Sequence, residues 1–118
     1  MKITSFDPMI ITDIASNLIT LFEDLGFERT HNKVGDDFLG NRMKHPDGFH
    51  VDIVDAATPQ TLTTIRMNVD DFDEAYELLT SRGFTVVQGG SVTDTGSSRS
   101  VMMVSPSGFT ITIVKHIK

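Results

Sequence analysis

The chain has 118 residues, 39% hydrophobic and 22% charged, with 16 acidic against 10 basic side chains and a net charge of −6. That length and balance suit one globular domain, able to withdraw roughly two-thirds of its unfolded surface from water, and argue against a disordered chain. No basic run offers several phosphate contacts, so nucleic acid and anionic membranes are poor partners, and the absence of cysteine excludes disulfides, thiolate metal sites and a cysteine nucleophile.

In chain order, ITSFDPMIIT (3–12) reads as a first strand. Asp13 then stands as a helix N-cap before an apolar stripe at Ile14, Leu18, Leu21, Phe22 and Leu25, which stops at Gly26. Three strand candidates follow, the last introduced by the turn HPDGF (45–49). The pattern then repeats. TLTTIRMNV (61–69) is a strand, Asp71 opens a helix through Phe72, Ala75, Tyr76 and Leu79, Gly83 closes it, and the turn SPSGF (105–109) introduces the last strand. Phe27 and Phe84 follow the two closing glycines.

Two copies of strand, helix and three strands are therefore written into the chain, 1–57 and 58–118, forming a single α+β domain of two βαβββ repeats. The second copy is three residues longer between its glycine and its turn, and GGSVTDTGSS (89–98) is expected to be an exposed loop. Alternation in the strands assigns their faces. Ile65, Met67 and Val69 belong under a helix, as do Ile111 and Ile113, while the residues between them face the other side. If the sheet curls, that other side becomes the wall of a cup.

By this parity the expected ligand-binding residues are Phe6, Ile10, His50, Asp52, Thr64, Arg66, Asn68, Thr110 and Thr112, with Pro8, Val54 and Val114 beside them. Apolar and convergent polar side chains together make up a small-molecule site. Arg66 is the leading candidate, its guanidinium fork suiting a carboxylate on a ligand or on Asp52. Parity leaves Phe38, Arg42, Met43, Met102 and Met103 unassigned. Of the four histidines, His50 lines the cup and His31, His45 and His116 are expected in solvent.

The paired repeats, LGF and RGF after the helices, MNVDDFDEAYELLTSRGF and the duplicated P-x-G-F-x-x-x-I turn resemble the vicinal oxygen chelate superfamily of glyoxalases, extradiol dioxygenases and bleomycin-resistance proteins. The resemblance covers essentially the whole chain. It implies a cupped mixed sheet with helices on its outer face, and in the enzymes a divalent metal held from the first and last strand of each repeat. Those positions carry Phe6, Asp52, Thr64 and Thr112 here. Phe6 has no donor atom and threonine hydroxyls are weak ligands, so neither a metal nor another cofactor is expected there, and no catalytic residue is assigned.

The expectation is thus a metal-free protein that binds a small molecule, resembling the bleomycin-resistance branch and acting as a homodimer. A glyoxalase- or dioxygenase-like enzyme with a non-standard site, and an interaction module with a filled cup, are the alternatives. No stretch approaches the ~20 apolar residues of a membrane span, and a cytoplasmic location is expected.

Overall fold

The computed structural model describes residues 1–30, 40–58 and 60–116. Its elements are β1 (Ile3–Thr12), α1 (Ala15–Asp24), β2 (Glu28–Thr30), β3 (Gly40–Lys44), β4 (His50–Asp55), β5 (Leu62–Val69), α2 (Phe72–Ser81), β6 (Thr85–Val86), β7 (Thr93–Asp94), β8 (Ser98–Val104) and β9 (Thr110–His116). His31 and Phe38 lie outside the described residues. The chain is α+β, and its contacts divide it into two compact units, Asp7–Thr63 and Met1–Phe6 with Thr64–Lys118. The boundary falls inside β1, so the spatial units are not the same segments as the sequence repeats.

In the unit Asp7–Thr63 the strand order is β2-β3-β4-β1. β1 runs parallel to β4 with Met9 opposite Asp52 and Ile10 opposite Ile53, and β3 pairs antiparallel with β4, Arg42 opposite Asp52. One face packs on α1. Its core is Ala15, Met43, Val51 and Ile53, joined by Ile10, Leu18, Ile19, Phe22 and Phe27. Full burial of each larger side chain there contributes about 1.5–3 kcal/mol.

The other unit repeats the plan, with order β5-β9-β8-β6 and β7 also paired to β8. β5 and β9 are parallel, Ile65 opposite Ile111, and β8 and β9 antiparallel, Met102 opposite Thr112. Met67, Val69, Phe72, Ala75, Leu79, Val101, Met103 and Ile113 form its core under α2. The first six residues belong here as well: the Asp70 backbone N–H donates to the Lys2 carbonyl at 3.1 Å, and the Thr4 hydroxyl donates to the Asn68 carbonyl at 3.3 Å.

The duplicated sequence words are duplicated backbone devices. At the end of α1 the Phe27 N–H reaches back to the Phe22 carbonyl at 2.9 Å and the Gly26 N–H to Glu23 at 3.0 Å. At the end of α2 Phe84 reaches Leu79 and Gly83 reaches Thr80, both at 3.0 Å. These are two Schellman caps with glycine in the left-handed region, φ +100° at Gly26 and +88° at Gly83. The two P-x-G turns close alike, Gly48 N–H to the His45 carbonyl at 2.9 Å and Gly108 N–H to the Ser105 carbonyl at 3.0 Å.

Gly83 is constrained twice, because a Cβ there would also stand 3.0 Å from Pro106 Cγ, whereas one at Gly108 (φ +93°) meets nothing within 4 Å. Gly83→Ala is accordingly expected to cost about 2–3 kcal/mol and Gly108→Ala about 1–2 kcal/mol. Urea midpoints of the two variants measure the difference, and equal losses would show that Pro106 yields without cost.

Several local expectations change. Asp13 does not cap α1: the N-cap position is Ile14, without a side-chain bond, and the Thr12 hydroxyl accepts the Ile14 N–H at 3.2 Å instead. Asp71 does cap α2, accepting the Glu74 N–H at 3.0 Å. The inward stripe of α1 is Ala15, Leu18, Ile19 and Phe22, while Ile14, Leu21 and Leu25 are 54%, 48% and 57% exposed. The longer loop is exposed, as expected, but folds back as β7, with Thr93 opposite Ser100 and Asp94 opposite Arg99. There the Gly96 backbone N–H, and after it the Arg99 guanidinium, hold the Asp94 carboxyl below its ordinary pKa.

Candidate functional site

In the unit Asp7–Thr63 the face away from α1 carries the chemistry. Since Met43, Val51, Ile53 and Ile10 point at the helix, alternation sends Arg42, His50, Asp52 and Val54 to the opposite side, and the β1–β4 register adds Asp7, Met9 and Ile11. Asp7 is 3% exposed and Asp52 fully buried. Arg42 grips Asp52 with a fork, Nε to Oδ1 at 3.0 Å and Nη2 to Oδ2 at 3.4 Å. His50 Nε2 lies 3.6 Å from Asp7 Oδ2. One donor atom each from Asp7, His50 and Asp52 fall within 4.8 Å of one another.

This face is graded. At one end stand two carboxylates, an imidazole and a guanidinium; at the other stand Ile11 and Val54, opposite each other in the register. A buried charged cluster beside an apolar strip can orient an amphipathic molecule, because the paired charges fix its polar end.

In the other unit, Thr64, Arg66 and Asn68 of β5 and Thr110, Thr112 and Val114 of β9 share the face opposite α2, as expected from parity. Thr64 and Thr112 are buried, and their hydroxyl oxygens lie 3.2 Å apart in a mutual hydrogen bond. Arg66 is 3% exposed. Met103 is core under α2, so Met102 faces the same side as Thr112.

The sequence-derived set thus stands as follows. His50 and Asp52 come together, and Thr64, Arg66, Asn68, Thr110 and Thr112 share one face of their unit. Ile10 is corrected: it packs into the helix-side core opposite Ile53. Phe6 is 57% exposed. Asp7 and Arg42 enter the site in place of Ile10. His45 is also corrected, being stacked on Phe49 at 4.4 Å between ring centres, with its Nδ1 accepting the Asp47 N–H. His116 is exposed, as expected.

No family model matches the sequence, and no curated protein matches it either. Solved structures do match its backbone. A glyoxalase/bleomycin resistance protein/dioxygenase superfamily member from Vibrio splendidus superposes over 98% of this chain and 100% of its own, with a TM-score of 0.60 at 15% identity. The chain has the vicinal oxygen chelate fold. A Streptomyces coelicolor methylmalonyl-CoA epimerase gives a TM-score of 0.60 at 14% identity over 99% of this chain and all of its own. A Zea mays glyoxalase I variant gives 0.69 at 15% identity, and there the chain spans only 44% of the longer protein. Identities this low carry the vicinal oxygen chelate fold and not the activities.

The positions at which the resemblance implies metal ligands are occupied as follows. Phe6 offers no donor, the Thr64 and Thr112 hydroxyls bond each other, and Asp52 is engaged by Arg42. Among the described residues no helix is long and apolar enough to cross a membrane.

Proposed function

We propose that the chain is a small-molecule-binding protein that uses the vicinal oxygen chelate fold without the four-strand metal centre of the fold's enzymes, in the manner of the bleomycin-resistance branch. The observation that carries this reading is the Thr64–Thr112 hydrogen bond at 3.2 Å. Two of the four ligand positions hold neutral hydroxyls that satisfy each other, so they have no need of a cation and little affinity for one.

The ligand we propose is amphipathic or planar. Its polar end is met by Arg42 and Asp52, with His50 and Asp7 beside them, and its apolar body lies along Ile11 and Val54. Arg66, Asn68, Thr110 and Thr112 are proposed as ligand-binding residues on the face of their own unit. The working form is proposed to be a homodimer, which light scattering at micromolar concentration tests: a monomer refutes it.

A native mass spectrum of gently purified protein tests the reading itself. An organic adduct that survives desalting, and is not chemically altered on prolonged incubation, is the expected result. Turnover of that adduct would overturn the assignment in favour of a glyoxalase- or dioxygenase-like enzyme with a non-standard site.

A further inference from the structure

We propose that the peptide joining Asp47 to Gly48 is a covalent modification site, where isoaspartate forms spontaneously, and that His45 is the latch that holds this reaction back. The inference goes beyond the proposed function and does not depend on it. Asp-Gly occurs once in the chain, and Asn-Gly does not occur.

The reaction needs a free carboxyl beside an unhindered peptide nitrogen. The Asp47 side chain is 77% exposed, and Gly48 stands at φ +104° with nothing within 4 Å of where a Cβ would be. The Gly48 nitrogen attacks Asp47 Cγ and a new C–N bond forms. The hydroxyl of the protonated carboxyl leaves with the amide proton as water, closing a succinimide ring. Water then adds at the former backbone carbonyl, the original C–N bond breaks, and the main chain continues through the side chain. No oxidant, reductant or cofactor takes part.

The folded turn opposes the attack. The Gly48 N–H, which must give up its proton, donates to the His45 carbonyl at 2.9 Å, and the His45 N–H donates to the Phe49 carbonyl at 2.9 Å. The Asp47 N–H is held by His45 Nδ1 at 3.1 Å. The ring that supplies this acceptor is itself fixed, stacked on Phe49 at 4.4 Å and edge-on to Phe27 at 5.3 Å. The turn must therefore open locally before Gly48 can react. The second P-x-G turn is a control built into the chain. Gly108 has the same open, left-handed geometry, φ +93°, but Ser107 replaces the aspartate.

Isoaspartate adds one backbone atom immediately before β4. The first rung it meets is Lys44 opposite His50, so the aged chain should melt at a lower temperature than the fresh one.

The full chain is incubated at neutral pH, folded and in urea, and then digested. Peptides carrying position 47 are separated by chromatography and weighed, and isoaspartate is counted by labelled methyl transfer from an isoaspartyl-specific carboxyl methyltransferase. Isoaspartate is expected at Asp47, forming more slowly in the folded chain than in urea, and Asp47→Ser, which copies Ser107, should abolish it. His45→Ala should speed the reaction in the folded chain about 5-fold, the effect of losing one net hydrogen bond, and leave the rate in urea unchanged. Circular dichroism melts check folding. Should His45→Ala not fold, His45→Phe keeps a ring on Phe49 but loses the Nδ1 acceptor, and it too should age faster than the native chain. Absence of isoaspartate at Asp47 overturns the site. Equal rates in folded and urea-treated chain, or folded His45 variants that age no faster than the native chain, overturn the latch.

Discussion

Ile53→Ala is expected to lower stability by about 3–4 kcal/mol, and the melting temperature by roughly 10–15 °C. Ile53 has no exposed surface and touches the same core as Ala15, Met43 and Val51. Truncation removes three carbons from a strand flanked on both sides, β1 and β3, so the walls can close only in part. The cost therefore combines lost transfer energy with a residual cavity. Leu21→Ala is the informative companion. The sequence put Leu21 in the buried stripe, but it is 48% exposed, and its truncation should change stability by no more than about 0.5 kcal/mol. Thermal melts of both variants decide the matter, and a large loss at Leu21 would mean that something covers α1 in solution.

Arg42→Met should cost about 2–3 kcal/mol, because it strips a fork of two hydrogen bonds from a carboxylate with no exposure. The figure is held below the usual cost of breaking a fully buried pair because the Arg42 side chain is 34% exposed, and part of its charge was already in water. Asp52→Leu in the Arg42→Met background should restore most of the loss, since an apolar pair of similar volume needs no charge compensation. A double-mutant cycle by denaturant unfolding measures the coupling. Additive losses would show that the two side chains act independently despite their 3.0 Å contact.

Much of the architecture could be read because the repeated words perform repeated backbone tasks. Glycine after each helix takes a left-handed φ that Schellman caps require, and glycine before Phe49 and Phe109 closes the hairpin turns. Alternation in β5 and β9 was clean, and it put Thr64, Arg66 and Thr112 on the face where they are found. In β1 it was not. ITSFDPMIIT has apolar residues at adjacent positions and a proline in its middle, so parity chosen from its apolar residues sent Ile10 to the wrong face. The signal for Asp7 was present: a carboxylate alone in an otherwise apolar run needs a polar reason to be there. Arg42 could not be assigned because its face follows from the antiparallel register with Asp52, and pairing registers are long-range facts that no local pattern carries. Asp13 lost its capping role to its neighbour. The Thr12 hydroxyl, fully buried, was already in position to take the N–H of Ile14.

The division inside β1 also bears on the order of events during synthesis. Residues 7–63 form a contiguous compact unit, so everything they need has left the ribosome when Thr63 has. Residues 1–6 are made before this unit and belong with residues made after it: the bonds from Lys2 and Thr4 to Asp70 and Asn68 span 68 and 64 positions. A growing chain can therefore settle residues 7–63 early while residues 1–6 wait for partners. A bulky fusion at the amino end would burden that late step and spare the early one.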